Sequence, residues 1–312
     1  MSRKSDPKII LVTRRTRLQE LIARHNTAEQ ARFQAEHLGM DFGDFLDEDR
    51  IYQRAMKQTA QALESFGRVQ HLERGFLPNF LFPPGCLVVV LGQDGLVANT
   101  LKYLAGQPIL AINPDPARWE GVLLPFQVAD LPRVLPDVVR ERRQTREITI
   151  ARVQINDGQT LLAVNDFFIG VRGHVSARYD IALNNRQERQ SSSGVIVSTG
   201  LGSTGWLRSI LTGARAITGR DANKEILAIR QHGMAWDSQT LIFNVREPYP
   251  SRSTEAELVF GRVAAGQSLR IRSLMPENGI IFSDGMESDS LDFRSGLEAA
   301  IGIAPIRGRL LQ

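Results

Sequence analysis

The sequence predicts an α/β N-terminal half followed by an antiparallel, β-rich half, on three observations. Up to about residue 125, short apolar, β-branched runs alternate with segments of helical periodicity. From Arg146 onward, apolar and polar residues instead alternate one by one, as in strands with one buried face. Turn-forming groups separate those later runs: Asn156-Asp157-Gly158, Asn184-Asn185, Asn278-Gly279 and Asp284-Gly285.

Taken in order, Lys8 to Thr13 (KIILVT) has no helical period and reads as a first strand. Leu18, Leu21 and Ile22 then recur at helical spacing, and the pattern continues through Ala28, Ala31, Phe33 and Leu38 to a break at Gly39 and the acidic patch DFGDFLDEDR. A second helix is marked by Ile51, Ala55, Thr59, Leu63 and Phe66 and ends at Gly67. A short strand follows from Arg68 to Leu72, and then CLVVVL, whose unbroken hydrophobicity suits a parallel strand covered on both faces. Gly92-Gln93-Asp94-Gly95 interrupts it, Leu96 to Leu104 reads as a helix, and PILAI as the next buried strand before the rigid loop Asn113-Pro114-Asp115-Pro116. Between Gln127 and Arg142, Pro132 and Pro136 predict a short broken helix. In the β half one helix intrudes after GVIVST, from about Ser203 towards Thr212. The expected organisation is an α/β domain over 1–130, a β-rich nucleotide-binding domain over 131–290, and a terminal segment, 291–312, packing back on the first domain.

Composition removes several classes of function. The chain has 312 residues and 42% hydrophobic content, enough for a substantial core without disulfides or structural metal. Its single cysteine, Cys86, lies in an apolar run and reads as a buried small side chain in a reducing compartment. A net charge of +4 is too small to argue for nucleic acid, and the basic stretch Arg140, Arg142, Arg143 and Arg146, with Arg133 upstream, reads as a solvated face. No leader pattern and no apolar run near the roughly 18 residues of a membrane helix is present, so a cytoplasmic protein without membrane or nucleic-acid partners is expected. Signatures of P-loop enzymes, zinc hydrolases and α/β-hydrolases are absent, no metal site is predicted, and the five histidines are scattered.

Three constellations carry chemistry. In LVVVLGQDGLVANTLKYL a buried strand ends at Gly92 and a helix opens after Gly95, a place where backbone amides and the helix dipole favour phosphate. Asp94 within it is repelled by polyphosphate unless it binds a metal or takes a proton from an attacking hydroxyl; the alternative is a plain Asp-Gly turn. In GVIVSTGLGSTGWLRSI, Gly200, Gly202 and Gly205 spell the dinucleotide fingerprint, but Asp221, at the right distance for its acidic residue, follows no apolar strand. What is left is a glycine turn whose amides, with Ser203 and Thr204, can hold phosphate or ribose oxygens, or serve only as a tight connection. In LLAVNDFFIGV, Asn165 and Asp166 interrupt an apolar strand, where they match a ribose diol and a base amide or else mark a bulge or edge.

In this order and at these separations, the three constellations resemble the NAD kinases, relatives of the diacylglycerol and sphingosine kinases. That family carries a GGDGT turn, a strand with Asn-Glu or Asn-Asp, and a segment of the form DG-hydrophobic-STPTGSTAY; here the corresponding stretches read GQDGL, VND and SGVIVSTGLGSTGW. PILAINPDPARWEGVLLPF and the long helical insert between Thr13 and Leu72 are similar to the mitochondrial-type branch, and FSDGMESDSL resembles the closing β segment. The resemblance implies an ATP-dependent transfer to the 2′-hydroxyl of NAD giving NADP, Mg²⁺ arriving with ATP, a nucleotide cleft between two domains, and homodimers or higher homo-oligomers. It implies Asp94 as the catalytic carboxylate, with Gly92, Gln93 and Gly95 at the phosphates. Asn165 and Asp166 then meet the base and ribose, and Thr199, Gly202, Ser203, Thr204, Gly205 and Trp206 line the other side, with Asn113 and Ser193 as further contacts.

Five departures stand out. Gln93 replaces the second glycine of GGDG, at a cost of about 1 kcal/mol or more if that residue needs a positive φ. Leu96 replaces a threonine, Ser193 an acidic residue, Gly200-Leu201 a Pro-Thr pair, and Trp206 takes the place of a small residue and Tyr as a stacking wall. They leave open a kinase for another hydroxyl acceptor (sugar, polyol or lipid-like), or a nucleotide-binding protein without kinase activity. A Rossmann oxidoreductase is the remaining alternative.

Overall fold

The computed structural model describes residues 7–312, which form two compact units divided between Arg146 and Glu147, with residues 309–312 belonging to the first. The first unit contains β1 (Lys8–Thr13), α1 (Arg17–His25), α2 (Ala28–His37), α3 (Phe42–Glu64), β2 (Arg68–Glu73), β3 (Leu87–Leu91), α4 (Asp94–Leu101), β4 (Pro108–Asn113), β5 (Phe126–Gln127) and α5 (Leu131–Val139). Its strands are all parallel, in the order β2-β1-β3-β4; beyond β4, β5 pairs with its carboxyl end and Arg309 and Leu310 with its start. β1, β3 and β4 bury both faces, which is why their sequences are continuously apolar. One face packs Ile9, Leu11, Val89, Leu91, Leu110 and Ile112 against Tyr52, Ala55 and Leu63 of α3 and Leu131, Val134, Leu135 and Val138 of α5.

The structure corrects several boundaries. The single helix expected from Leu18 to Leu38 is two, because Asn26 takes a left-handed φ of 68° and Thr27 caps α2 by accepting from Gln30 N. The acidic patch is not a break but the first turns of α3: Asp41 caps Gly43 N, and Phe42 and Phe45 pack with Leu18, Ala31 and Ala35 in a small core of their own. Gly67 does not end that helix, which stops at Glu64; instead it lets the chain pass Pro7, whose carbonyl oxygen would lie 2.2 Å from a Cβ there. α5 is continuous through Pro136, because its buried face outweighs the one hydrogen bond lost; Pro132 sits in the first turn, where no bond is lost.

The second unit contains β6 (Thr145–Ile155), β7 (Thr160–Ala163), β8 (Asp166–Val171), β9 (Ala177–Leu183), β10 (Arg186–Ser192), β11 (Val195–Ser198), α6 (Trp206–Thr218), α7 (Lys224–His232), β12 (Thr240–Val245), β13 (Phe260–Ala264), β14 (Leu269–Ser273), β15 (Gly279–Ser283), β16 (Met286–Asp292) and β17 (Glu298–Leu311). Two sheets, β10-β9-β14-β17-β6-β7 and β13-β12-β11-β8-β15-β16, share one core. That core interleaves Val153, Tyr179, Ile181 and Ile271 of the first with Phe167, Ile169, Val197, Phe243 and Ile281 of the second, as alternate residues of a sandwich do. The second sheet is antiparallel throughout. Its outer residues Phe168, Ile196, Ile242 and Ile280 are buried by Trp206, Leu207 and Ile210 of α6, with Ile226 and Ile229 of α7.

Two helices therefore intrude here, not one. α6 runs six residues beyond the expected Thr212, to Thr218, before the left-handed Gly219 stops it. α7 is capped by Asn223, whose side chain accepts from Ile226 N at 2.8 Å. No helix among the described residues is long and apolar enough to cross a membrane.

Candidate functional site

The first group of site residues lies at the carboxyl ends of β3 and β4, the side of an open parallel sheet where ligands bind. Asp94 is the first residue of α4 and half-buried. Its Oδ1 accepts from Leu123 N at 2.7 Å and its Oδ2 from Val122 N at 3.3 Å, so it latches the loop that follows β4. Asn113, buried at the end of β4, holds the same loop from the other side: its Nδ2 donates to Trp119 O at 2.9 Å and its Oδ1 accepts from Asp115 N at 3.1 Å. Gly121 takes φ +68° there, and a Cβ would meet the Asn113 amide at 2.6 Å.

Gln93 adopts φ −123° and ψ 167°, ordinary extended backbone, so the strain expected at this position is absent. Leu96 is buried where the motif has a threonine, and its Cδ2 would lie 2.7 Å from a Cβ on Gly92; here the glycine makes room for an apolar side chain. Gly95 is exposed, with open space around it.

An ionic network that the motifs did not announce lies beside this turn. Arg14, just past β1, donates to buried Glu48 at 2.8 Å, and Arg17 also bonds Glu48 and donates to Asp44 at 2.6 Å. Arg118, from the latched loop, donates to both Asp44 oxygens, at 2.6 and 3.1 Å. The Arg14 guanidinium lies over the rings of Tyr52 and Trp119. Burial pushes the Glu48 carboxyl up, but hydrogen bonds from Arg17 and Arg14 outweigh it and hold the group below its ordinary value. The Tyr52 hydroxyl donates to Leu91 O at 2.9 Å, at the very end of β3, and accepts from Arg14 N at 3.0 Å; burial pushes its pKa up to about 12. The partners that bond one another here stand 27 or more positions apart in sequence, and no local pattern marks them.

The second group lies in the second unit. Contrary to expectation, Asn165 and Asp166 do not interrupt one strand: Val164 and Asn165 form the bend between β7 and β8, and Asp166 opens β8. Asn165 is half-buried, and Asp166 is 7% exposed. Burial, and then the neighbouring charge of Asp284, push the Asp166 carboxyl up to about 7. Thr199 and Ser203 are fully buried staples of the glycine turn: Thr199 Oγ1 donates to Val164 O at 2.6 Å, and Ser203 Oγ donates to Gly200 O at 2.6 Å and accepts from Met234 N at 2.7 Å. Gly200 and Gly202 are required by close approach, since a Cβ would fall 1.9 Å from Ala235 O and 2.0 Å from Asn165 O. Thr204 and Gly205, in contrast, are exposed, and Gly205 opens α6 with no side-chain cap, leaving the first amides of the helix without an intrahelical partner. Trp206 stacks on Phe168 at 6.0 Å, with the Arg246 guanidinium 5.4 Å from the ring. Ser193 is exposed before β11, its N–H donating to Arg246 O. Asp221 pairs with Arg230 at 2.7 Å and with Arg215, tying α6 to α7. Its role there is structural, consistent with the failed dinucleotide fingerprint. Asp284, read from sequence only as half of a turn, is the residue missed here.

No family model matches the sequence, and no curated protein matches it. Solved structures do match. Yeast NADH kinase complexed with NADH aligns over 99% of this chain and 84% of its own, with a TM-score of 0.57 and 14% identity. An NAD kinase from Archaeoglobus fulgidus in complex with ATP aligns over 98% of this chain and 93% of its own, with a TM-score of 0.56 and 16% identity. The chain therefore has the fold of these kinases, an α/β region followed by an antiparallel β region, as the motifs implied.

Proposed function

We propose that this chain is an ATP-dependent kinase that phosphorylates the 2′-hydroxyl of NAD to give NADP. The observation that carries the reading is Asp94, a half-buried carboxylate opening α4 at the carboxyl end of a parallel sheet, in a fold shared with kinases whose structures hold NADH and ATP. Two backbone amides orient the carboxylate without exhausting its lone pairs. Asp94 would accept the proton of the attacking hydroxyl as its oxygen bonds the γ-phosphorus and the bond to the bridging oxygen breaks, releasing ADP. Gly92, Gln93 and Gly95 would face the phosphates, and Asn165, Asp166, Thr204 and Gly205 the dinucleotide, with Thr199, Gly202 and Ser203 shaping the turn and Trp206 and Ser193 beside it. Among the described residues no cluster of three or more His, Cys, Asp or Glu could hold a metal ion, so Mg²⁺ is proposed to come with ATP on phosphate oxygens and water. When bound, it would neutralise phosphate charge. A homo-oligomer in the cytoplasm completes the proposal.

A second reading, nucleotide binding without transfer, is favoured by buried Leu96, which puts an apolar side chain where a hydroxyl would meet phosphate. One experiment separates them: protein incubated with ATP, Mg²⁺ and NAD is assayed for NADP, and NAD affinity is measured by calorimetry. NADP formation supports the kinase. Binding without product supports the second reading, and neither outcome is expected of a protein with another acceptor, which a thermal-shift panel of nucleotides and polyols would expose.

A further inference from the structure

The bend carrying Asn165 and Asp166 is held by a residue more than a hundred positions away. Oδ1 of Asp284 accepts from Asn165 N at 2.6 Å, Val164 N at 3.1 Å and Asp166 N at 3.3 Å, and Oδ2 also meets Val164 N at 3.1 Å. The Asp284 backbone N–H donates in turn to Asp166 O at 3.0 Å. Asp284 and Gly285 are left-handed, with φ 54° and 70°, in the tight turn between β15 and β16. Turn and bend are thus tied by side chain and backbone together.

Asp166 beside them is buried, yet among the described residues none donates a hydrogen bond to its carboxyl that would stabilise a charge. Its register partner on β11 is Ser198, whose hydroxyl donates instead to Thr199 O. On the β15 side, Ser283 pairs with Phe167. The charged group acting on Asp166 is Asp284, and three amides aimed at one carboxylate favour its ionised form.

We propose that Asp284 is a positioning residue for the Asn165–Asp166 pair: its carboxylate fixes the bend and, beside the buried Asp166, favours that acid as a neutral hydrogen-bond donor to the ligand. The ligand atoms that fit are acceptors, a ribose oxygen or a base ring nitrogen. A neutral acid also adds no negative charge near a nucleotide's phosphates. The inference rests on the proposed role of Asn165 and Asp166 as dinucleotide contacts, and it deepens that role. It agrees with the acid's elevated titration at about 7, caused by burial and by Asp284.

The test uses two variants of the full chain. Asp284→Asn keeps an Oδ1 for all three amides and tolerates the left-handed backbone, but removes the charge. Asp284→Ala removes both. Carbon-13 NMR of the ligand-free protein is expected to show Asp166 titrating near neutrality in the wild type and at lower pH in Asp284→Asn. Amide hydrogen exchange at Val164, Asn165 and Asp166 is expected to stay slow in Asp284→Asn and to accelerate in Asp284→Ala. With NADH as the probe at pH 5, below the wild-type midpoint of Asp166, the alanine variant is expected to lose about tenfold in affinity and the asparagine variant less. An Asp166 midpoint that is unchanged in Asp284→Asn, or exchange rates unchanged in Asp284→Ala, overturns the proposal. Failure of every nucleotide to bind would instead overturn the assignment of Asn165 and Asp166 as dinucleotide contacts, while the ligand-free measurements still decide the role of Asp284.

Discussion

The two glycine turns differ in what their glycines do. In the second unit, Gly200 and Gly202 admit backbone from elsewhere, with carbonyl oxygens within 2.0 Å of where a Cβ would be, and the hydroxyls of Thr199 and Ser203 are spent on holding that packing. In the first unit, Gly92 yields to a leucine side chain, Gly95 faces open space, and the carboxylate of Asp94 holds a loop with only part of its hydrogen-bonding capacity. A glycine-rich motif is thus two things in one sequence: a requirement of packing at Gly200 and Gly202, and an exposed stretch of backbone at Gly95 and Gly205.

The largest expected effect tests that contrast at its strict end. Gly202→Ala should destabilise the second unit by about 4 kcal/mol or more, since backbone must move, and thermal unfolding reads it. A loss below about 1 kcal/mol would mean the two segments separate freely. Next is Glu48→Ala, which leaves Arg14 buried without its partner and should cost about 3 kcal/mol in denaturant unfolding. It would locate the rigidity of the first unit in its ionic network and not in its turn. Asp94→Asn is expected to abolish NADP formation with NAD affinity nearly intact, and to lose about 1 kcal/mol of stability from weakened contacts to the loop amides. If binding falls with turnover, Asp94 is a structural latch.

The units should also differ in the sign of their pH dependence. Asp44 sits below its ordinary value through hydrogen bonds from Arg118 and Arg17, and Glu48 sits below its own; stability from both is present above the unfolded carboxylate value and lost as pH falls through the folded one. For Asp166, raised to about 7, the folded state keeps a proton that the unfolded chain releases from about pH 4 upward. Stability from that group is therefore full below pH 4 and declines as pH rises towards 7. Site-resolved hydrogen exchange against pH should show the first unit weakening in acid, and Asp166→Asn should flatten the decline in the second. The smallest effect is Gly95→Ala: with open space and helical backbone, stability should hold or rise by about 0.5 kcal/mol, so a loss of nucleotide affinity there would mark direct ligand approach.

Much of this was legible locally. KIILVT, LVVVL and PILAI are strands because continuous apolar runs of that length can be buried on both faces only in a covered parallel sheet. Some features absent from the sequence-based expectation still have local signals: Thr27 and Asn223 are capping residues, and Asp41 followed by Phe42 and Phe45 spells a helix start with an apolar face. Others had none. The Asn165–Asp166 bend looks like a strand interior because Val164 and Phe167 flank it, and only the Asp284 carboxylate supplies the amides' partners that a ladder would otherwise provide.

By itself, then, the sequence determined the class of each half, the positions of both glycine turns and the identity of Asp94, since periodicity and turn chemistry act over a few residues. Only the tertiary structure decided what those residues touch. That Asp94 holds a loop, that Gly202 rests on Asn165, and that Asp284 anchors the bend beside Asp166 are matters of atoms brought together from distant positions. Hydrogen-bond satisfaction and close packing select such pairs after the chain has folded, and sequence spacing does not encode them.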